Sequence, residues 1–270
     1  MNQYNPTIII RIGQNALSFA VADPSKEGGI DFEPYDLRSY MSLSANLREA
    51  FQKSLLLGRD FEQAQVIVDA PVLLVPSGEF DEKQAETLYQ HTFAGEKTMG
   101  VEQTRIVHNE LEKLNAVAIF KMNSDLRLVI GDHFTEVRYQ HLMQAVWNHF
   151  YAQNFTGTQR KLFAYLHDKR LEIFCFDMGR FRFSNAYDVS NSRDAVYFLL
   201  AVWKQLGFDA QNDEINLAFD TETVATADAQ NDRDTLMETL RHYVKNVHAP
   251  ETSETSASNL PFDLKILFED

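Results

Sequence analysis

The chain has 270 residues, of which 44% are hydrophobic and 12% aromatic, so it has enough apolar material for one large domain or two ordinary cores. This content argues against global disorder. The formal net charge of −14 argues against a broad nucleic-acid surface and against binding to an anionic membrane, since both need concentrated lysine and arginine. A locally basic cleft remains compatible with this charge.

The cysteine content and the hydrophobic runs favour a cytoplasmic protein. Cys175 is the single cysteine, so no intrachain disulfide can form, and its place in an alternating strand predicts a small buried hydrophobe rather than a nucleophile. Residues 1–6 lack a basic segment followed by an apolar one. No uninterrupted apolar stretch approaches the roughly 18–20 residues of a membrane helix. We therefore expect a soluble cytoplasmic protein without membrane insertion.

The first half of the chain predicts a three-strand meander followed by helices and further strands. Gly13-Gln14-Asn15 is predicted to form a tight turn between the first two strands. The meander and the two elements after it are expected at Thr7–Ile12, Leu17–Ala22, Ile30–Tyr35, a helix over Asn46–Leu57 and a strand over Gln65–Asp69.

The next segment predicts a short apolar strand and an acid-capped helix. Asp81 is the expected N-cap of this helix, and Gln84 completes a capping-box pattern. The remaining elements of the first half are the strand Val72–Pro76, a polar loop over Ala94–Gln103, the strand pair Arg105–Leu111 and Ala116–Met122, the helix Ser124–Gly131, the strand Thr135–Gln140 and the helix His141–Ala152.

The second half repeats this order of elements without repeating the residues. The predicted elements are the strands Lys161–His167, Leu171–Phe176 and Phe181–Tyr187, the helix Arg193–Leu206 and the strand Ile215–Phe219. After them come a polar loop over Thr223–Asp232, a helix over Leu236–Val247, a mobile segment over Pro250–Pro261 and a last strand over Asp263–Phe268. We place the domain boundary in the polar Gln153–Arg160 region, which predicts domains over 1–156 and 157–270.

Two segments resemble the actin-like ATPase superfamily. Ile8–Asn15 is similar to its first phosphate turn, an apolar strand followed by Asp-x-Gly and a small polar residue. Val72–Ala85 looks like the strand, Val-Pro, loop and acid-capped helix of the chaperone branch. The whole chain also resembles a bacterial family of unknown function that carries this fold, on the residues Arg11–Gln14, Leu74–Pro76, Phe181–Tyr187 and Ser192–Gly207.

This resemblance implies an α/β protein with two actin-like (ribonuclease-H-like) domains, each a mixed sheet built from a three-strand meander with crossover helices. It also implies a cleft whose candidate phosphate-turn positions are Arg11, Gly13, Gln14, Asn15, Asp168 and Lys169. In active members the first-turn aspartate organises water around Mg²⁺, which needs oxygen ligands.

Arg11 stands near the position of that aspartate, and a guanidinium has five donors and no acceptor. Arg11 could contact a phosphate directly, without metal. It could instead pair with an acidic residue across the cleft or lie over the sheet edge.

The second phosphate turn also departs from the pattern of active members. The turn after the first strand of the second meander is His167–Arg170, which contains Asp168 but no glycine, so its backbone cannot approach a phosphate as closely. The sequence Asp177-Met178-Gly179 falls between the second and third strands and is predicted to be a hairpin turn. Where a Gly-Gly pair should follow the strand Ile215–Phe219, the chain reads Asp220-Thr221-Glu222-Thr223. These departures give poor support for ATP turnover.

Other residue groups carry weaker signals. His133, His141 and His149 lack the three- or four-residue spacing of a helical metal site, so we expect no metal. His242 and His248 are more typical of solvated or capping groups near a helix end. A set of aromatic residues should fill or cover the second sheet, the alternative being a base-stacking platform: Phe174, Phe176, Phe181, Phe183 and Tyr187.

The leading hypothesis is therefore a catalytically inactive actin-like protein that acts as a protein-binding or scaffold module, without a cofactor. Its partner would be another protein or a second copy. The alternative is a divergent ATPase or phosphotransferase with a degenerate nucleotide site, with Arg11 and Lys169 on phosphate and Asp168 as base or metal ligand. A third hypothesis is a sensor of a small anionic metabolite, with Gly13–Asn15 as a nest of backbone donors.

Overall fold

The computed structural model describes residues 6–26, 28–94, 103–220, 227–249 and 260–269, without the side chains of residues 227–230. Backbone contacts divide the chain into two compact units, Met1–Gln144 and Ala145–Asp270. One helix, α4 (Met143–Asn154), begins in the first unit and continues into the second. The division into domains 1–156 and 157–270 stays a prediction.

The first unit contains a five-stranded and a three-stranded sheet. Its elements are β1 (Ile8–Ile12), β2 (Leu17–Ala22), β3 (Ile30–Tyr35), α1 (Leu43–Lys53), β4 (Gln63–Val68), β5 (Val72–Pro76), α2 (Ala85–Thr92), β6 (Thr104–Leu111), β7 (Ala116–Asn123), α3 (Ser124–Gly131) and β8 (Glu136–His141). The larger sheet has the order β3-β2-β1-β4-β8, in which the meander β1 to β3 is antiparallel and β4 and β8 run parallel to β1.

Alternation along the strands gives this sheet an apolar face. Because side chains of a strand point alternately to opposite faces, Ile8, Ile10 and Ile12 share one face and enter a common core. Helices α1 and α3 pack on that core through Leu47, Ala50, Leu126, Val129 and Ile130.

The smaller sheet of the first unit is antiparallel, in the order β5-β7-β6. One of its faces packs on α2, where Ala85 and Tyr89 meet Val117 and Ile119. Phe120 and Met122 alternate with these residues along β7 and join the core of the larger sheet. The small sheet is therefore fixed to the unit through both of its faces.

The second unit repeats the meander of the first. Its elements are β9 (Lys161–His167), β10 (Arg170–Asp177), β11 (Arg180–Asp188), α5 (Ser192–Gln205), β12 (Glu214–Phe219), α6 (Ala227–Tyr243), β13 (Asn246–His248) and α7 (Phe262–Glu269). The sheet order is β11-β10-β9-β12-β13, again with an antiparallel meander and two parallel strands. The predicted mixed α/β class, with a sheet from a three-strand meander in each unit, is confirmed.

The two faces of this sheet differ in chemistry. One face packs on α5 and α6 mainly through aliphatic residues such as Leu199 and Leu240, and two of the predicted aromatic residues, Phe183 and Tyr187, pack against this core. The other is aromatic: the ring of Phe150 from α4 lies 5.0 Å from that of Phe163 and 5.7 Å from that of Phe174. Phe174 and Phe176 are buried in this layer, which confirms that they fill the sheet.

Three sequence-based predictions are wrong. The strand expected over Asp263–Phe268 is helix α7, whose first turn follows Pro261. The polar loop expected over Thr223–Asp232 is helical from Ala227, because the sequence of residues 227–232 has too few apolar residues to show a hydrophobic period. The helix expected to reach Val247 ends at Tyr243, and β13 follows.

Helix α1 also differs from its predicted range Asn46–Leu57. It begins earlier because the Ser42 hydroxyl accepts a hydrogen bond from the Ala45 N–H, and Ser54 caps its end. The interior of the loop Ala94–Gln103, the segment 250–259 and residues 221–223 lie outside the described residues. Within the described part of the chain, none of the helices combines the length and apolar content that a membrane span requires.

Candidate functional site

The first candidate turn joins β1 to β2. The Gly13 N–H donates to the Ala16 carbonyl at 2.8 Å, which leaves Gln14 and Asn15 as an exposed two-residue loop. Neither loop residue is among those with positive φ in the described part of the chain. This turn therefore presents two polar side chains on a backbone without left-handed residues.

Arg11 is the second-to-last residue of β1, two residues before Gly13, and is 1% exposed. Its neighbours in the sheet register are Ser18 of β2 and Ile67 of β4, and it occupies the face opposite Ile10 and Ile12. Sheet pairing on both sides fixes the backbone here. Strand β1 thus carries next to the first turn a buried cation that can donate hydrogen bonds but cannot ligate a metal.

The second candidate turn joins β9 to β10. Its two loop residues, Asp168 with φ 46° and Lys169 with φ 61°, both lie in the left-handed region. Two consecutive left-handed residues are typical of a type I′ hairpin turn, whose twist matches that of the strands. Asp168 is half-buried and Lys169 is exposed. The turn therefore forms without the glycine that would let its backbone approach a phosphate closely.

Beside this turn lies a set of inward-facing polar residues, which we call the buried polar cluster: Tyr165, His167, Arg170, Glu172 and Asp263. The Tyr165 hydroxyl donates to Asp263 Oδ1 at 2.8 Å, and its ring stacks on that of His167 at 4.6 Å. Arg170 Nε donates to Glu172 Oε1 at 2.8 Å. The register of β9 and β10 places the Arg170–Glu172 pair beside the Tyr165–His167 pair, since Glu172 lies opposite Tyr165 and Arg170 lies opposite His167.

Burial controls the protonation of Glu172. Desolvation raises the pKa of its carboxyl above the ordinary value of 4.5, and the charge and hydrogen bond of Arg170 oppose that rise. Glu172, Tyr165 and Asp263 are not among the site residues predicted from the sequence. The available signal was a single acidic residue inside the otherwise apolar run Leu171–Phe176, which indicates a buried charge that requires a partner.

The remaining predicted positions fall at separate places within the second unit. Asp220 is buried directly after β12, and its N–H donates to the Leu166 carbonyl at 2.9 Å. Met178 and Gly179, with φ of 48° and 75°, form the turn between β10 and β11. The prediction that Asp177–Gly179 is a hairpin turn between the second and third strands is therefore confirmed.

The three histidines with a weak metal signal each contact protein groups. His133 Nδ1 lies 2.8 Å from the Val129 carbonyl oxygen, and its ring stacks on Phe51. His141 Nε2 donates to the Ala70 carbonyl at 2.8 Å, and its Nδ1 accepts from the Met143 N–H at 3.2 Å. His149 Nε2 contacts the side-chain nitrogen of Gln153 at 2.8 Å. Among the described residues, no group of three or more His, Cys, Asp or Glu side chains is arranged to hold a metal.

Cys175 is buried in β10, as its place in an alternating strand predicts. Burial raises the pKa of its thiol to about 11. The thiolate is the reactive form of cysteine, so burial disfavours reaction of this side chain in the folded protein.

Comparisons with known proteins agree with this architecture. A family model described as "Protein of unknown function (DUF3822)" matches residues 1–247. No curated protein matches the sequence.

Two solved structures are similar to the chain over most of its length. A crystal structure from Bacteroides thetaiotaomicron VPI-5482, described as a protein with actin-like ATPase fold and unknown function, has a TM-score of 0.79 and 23% identity, and the match covers 98% of this chain and 96% of that one. A chain of the PilM-PilN type IV pilus biogenesis complex has a TM-score of 0.54 and 9% identity, with coverage of 90% and 88%. At these identities the likeness establishes the fold, so the predicted actin-like ATPase fold is confirmed.

Proposed function

Because the chain belongs to the DUF3822 family of proteins of unknown function, we propose its function from its own residues: a catalytically inactive actin-like protein that acts as a protein-binding or scaffold module. The observation that carries this proposal is the buried Arg11 in β1, next to the first turn, near the place where the resemblance to active members expects a metal-organising aspartate.

The chemistry of Arg11 opposes metal-dependent nucleotide hydrolysis. Mg²⁺ is held by oxygen ligands, directly or through water, and a guanidinium supplies only N–H donors and a permanent positive charge. Because β2 and β4 hold β1 on both sides, a small shift of the backbone cannot exchange Arg11 for a neighbouring carboxylate. Its burial also counts against a direct contact between its guanidinium and a phosphate.

The second turn supports the same conclusion. Both of its loop residues carry side chains at left-handed positions, where a phosphate-binding turn would use glycine to bring its N–H groups close to the ligand. The protein-binding part of the proposal is supported by analogy of fold, since one structure with this fold is part of a complex of two proteins, PilM and PilN.

Calorimetric titration of the purified chain with ATP and Mg²⁺ tests the loss of nucleotide binding. We expect no saturable heat in the micromolar range, because the first turn lacks a metal-organising acid. Circular dichroism on the same sample establishes that the protein is folded. Saturable micromolar binding would contradict the proposal.

Phosphate release from ATP separates the inactive protein from a divergent phosphotransferase. We expect the parent, Arg11→Ala and Asp168→Asn to release phosphate at the rate of buffer alone. If the parent is faster than buffer and either substitution abolishes the difference, the chain is an enzyme that uses these residues, and the scaffold proposal is wrong.

A further inference from the structure

A small pocket lies within the second unit, beside helix α4 and the strands β12 and β13. Its volume is ≈ 200 Å³, and the described residues that line it are Phe150, Gln153, Asn216, Leu217, His248 and Ala249. None of these is a lysine, arginine, aspartate or glutamate. The lining combines apolar side chains with a few polar ones, as is usual for sites that bind small molecules. Its composition favours an uncharged ligand over an anion.

The strand register explains how polar side chains come to this pocket. Asn216 of β12 lies opposite His248 of β13 on one side and opposite Phe163 of β9 on the other. Because side chains alternate along a strand, Asn216 lies on the face opposite to Ile215, which enters the core under α5 and α6. Asn216 therefore lies on the aromatic face of the sheet, on which Phe150 of α4 packs.

The side-chain amide of Asn216 includes a hydrogen-bond donor that is not used. Its Nδ2 atom is buried and has no hydrogen-bond partner among the described residues. Most buried polar groups in native proteins are paired, because a buried donor without an acceptor is destabilising. A ligand that brings an acceptor to Asn216 therefore satisfies this group.

Gln153 supplies the complementary group. Its Nε2 donates to His149 Nε2 at 2.8 Å, which leaves the side-chain oxygen Oε1 as an acceptor. Its backbone carbonyl accepts from Lys161 Nζ at 2.8 Å, which fixes the chain at this point of α4. The ring of Phe150, which is 1% exposed, is held 5.0 Å from that of Phe163. The pocket thus has one donor, one acceptor and an aromatic ring on packed elements.

We propose that this pocket binds a small, planar, uncharged molecule that has a cyclic amide in a six-membered ring. The amide C=O accepts from Asn216, the amide N–H donates to Gln153, and the ring packs on Phe150. An apolar cavity of about 150 Å³ can hold benzene, so the volume of ≈ 200 Å³ is sufficient for such a ring with its oxygen. This site goes beyond the proposed scaffold function and does not depend on it.

Calorimetric titration of the full chain with 2-pyridone tests the proposal. N-methyl-2-pyridone is the matched control ligand, because it has the same ring and C=O group but no N–H donor. We expect saturable binding of 2-pyridone and at least about tenfold weaker binding of the N-methyl compound, which leaves the Gln153 acceptor unpaired. If 2-pyridone shows no saturable binding at millimolar concentration, or if both compounds bind equally well, the proposal is wrong.

Two substitutions test whether binding occurs in this pocket. Ala249→Trp places a large ring in it and should abolish the binding of 2-pyridone. Asn216→Leu removes the donor at nearly constant size and should weaken binding at least about tenfold. Its thermal midpoint without ligand should equal or exceed that of the parent, because the unpaired donor is gone. The control Asn185→Leu, at an exposed position of β11 outside the lining, should bind like the parent.

These variants keep the proposal open to refutation. If circular dichroism shows that Asn216→Leu does not fold, Ala249→Trp and the pair of ligands decide the question. A folded Ala249→Trp variant that binds 2-pyridone like the parent would overturn the proposal, because the ligand would then lie elsewhere. Neither ligand carries a phosphate, so the result is independent of the titration with ATP.

Discussion

The hairpins β1–β2 and β9–β10 occupy the same place in the two meanders but differ in the conformation of their turns and in the charge that they bury. Each has a two-residue loop, but Gln14 and Asn15 avoid the left-handed region whereas Asp168 and Lys169 both occupy it. The first hairpin buries the cation Arg11, and the second buries the anion Glu172 beside its partner Arg170. The repeated strand order therefore fixes which positions face inward, and it leaves open the turn type and the sign of the buried charge.

This difference has a physical origin. Strand pairing depends on backbone hydrogen bonds and on alternation of side chains, which almost any sequence with the right apolar face can satisfy. Turn type depends on the φ preferences of two residues, and a buried charge depends on one suitable partner. Strand order is thus the more robust feature, and the turns and charges can change while the fold persists.

The largest expected effect concerns the buried ion pair of the second hairpin. Arg170→Met leaves Glu172 in a buried position without its cation, and breaking a buried pair in this way costs about 3 to 5 kcal/mol of unfolding free energy. Urea unfolding followed by circular dichroism measures the loss. The double variant Arg170→Met with Glu172→Leu removes both charges. Its free energy of unfolding should fall clearly less than that of the single variant Arg170→Met. A single variant within about 1 kcal/mol of the parent would show that the pair is not the buried contact described here.

A smaller effect should distinguish the two turns. A left-handed residue other than glycine costs roughly 1 to 2 kcal/mol, and the greater entropy of glycine in the unfolded chain costs about 0.5 to 1 kcal/mol. The substitution Lys169→Gly should therefore stabilise the protein by up to about 1.5 kcal/mol. Gln14→Gly relieves no such strain and should destabilise it by about 0.5 to 1 kcal/mol. Urea midpoints of both variants measure the contrast, and changes of the same sign would contradict the assignment of two turn types.

The smallest effect is a pH dependence at Glu172. Its pKa is raised in the folded state above the ordinary value of 4.5, so the folded state holds the proton more tightly and stability falls as pH rises from 4.5 to the raised pKa. Glu172→Gln cannot titrate. The unfolding free energy of this variant minus that of the parent should therefore increase over that interval and stay constant above it. Urea unfolding at a series of pH values measures this difference, and a flat or decreasing difference would refute the assigned pKa shift.

Most of the helices and strands and their repeated order can be predicted from the sequence, because they depend on local hydrophobic periodicity and on helix caps. Helix α3 was predicted at its observed range Ser124–Gly131, where the Asn123 side chain accepts from the N–H groups of Asp125 and Leu126. The strands β2, β3 and β5 were likewise found at their observed bounds. The positions of Arg11, Asp168 and Lys169 in strand and turn follow from the same alternation, although their roles stay predictions.

What the sequence determined by itself is the alternation of its strands and the caps of its helices, both of which depend on residues close together in the chain. Tertiary structure decided the identity of α7 and the partners of the buried polar cluster. The run Asp263–Phe268 fits a strand pattern, but in helix α7 the Asp263 carboxylate accepts from Tyr165, which is 98 residues away in the chain, and the Phe262 ring also contacts that of Tyr165. Burial of Glu172 likewise depends on the layer that covers its face, because desolvation is a property of the packed structure and not of the residue.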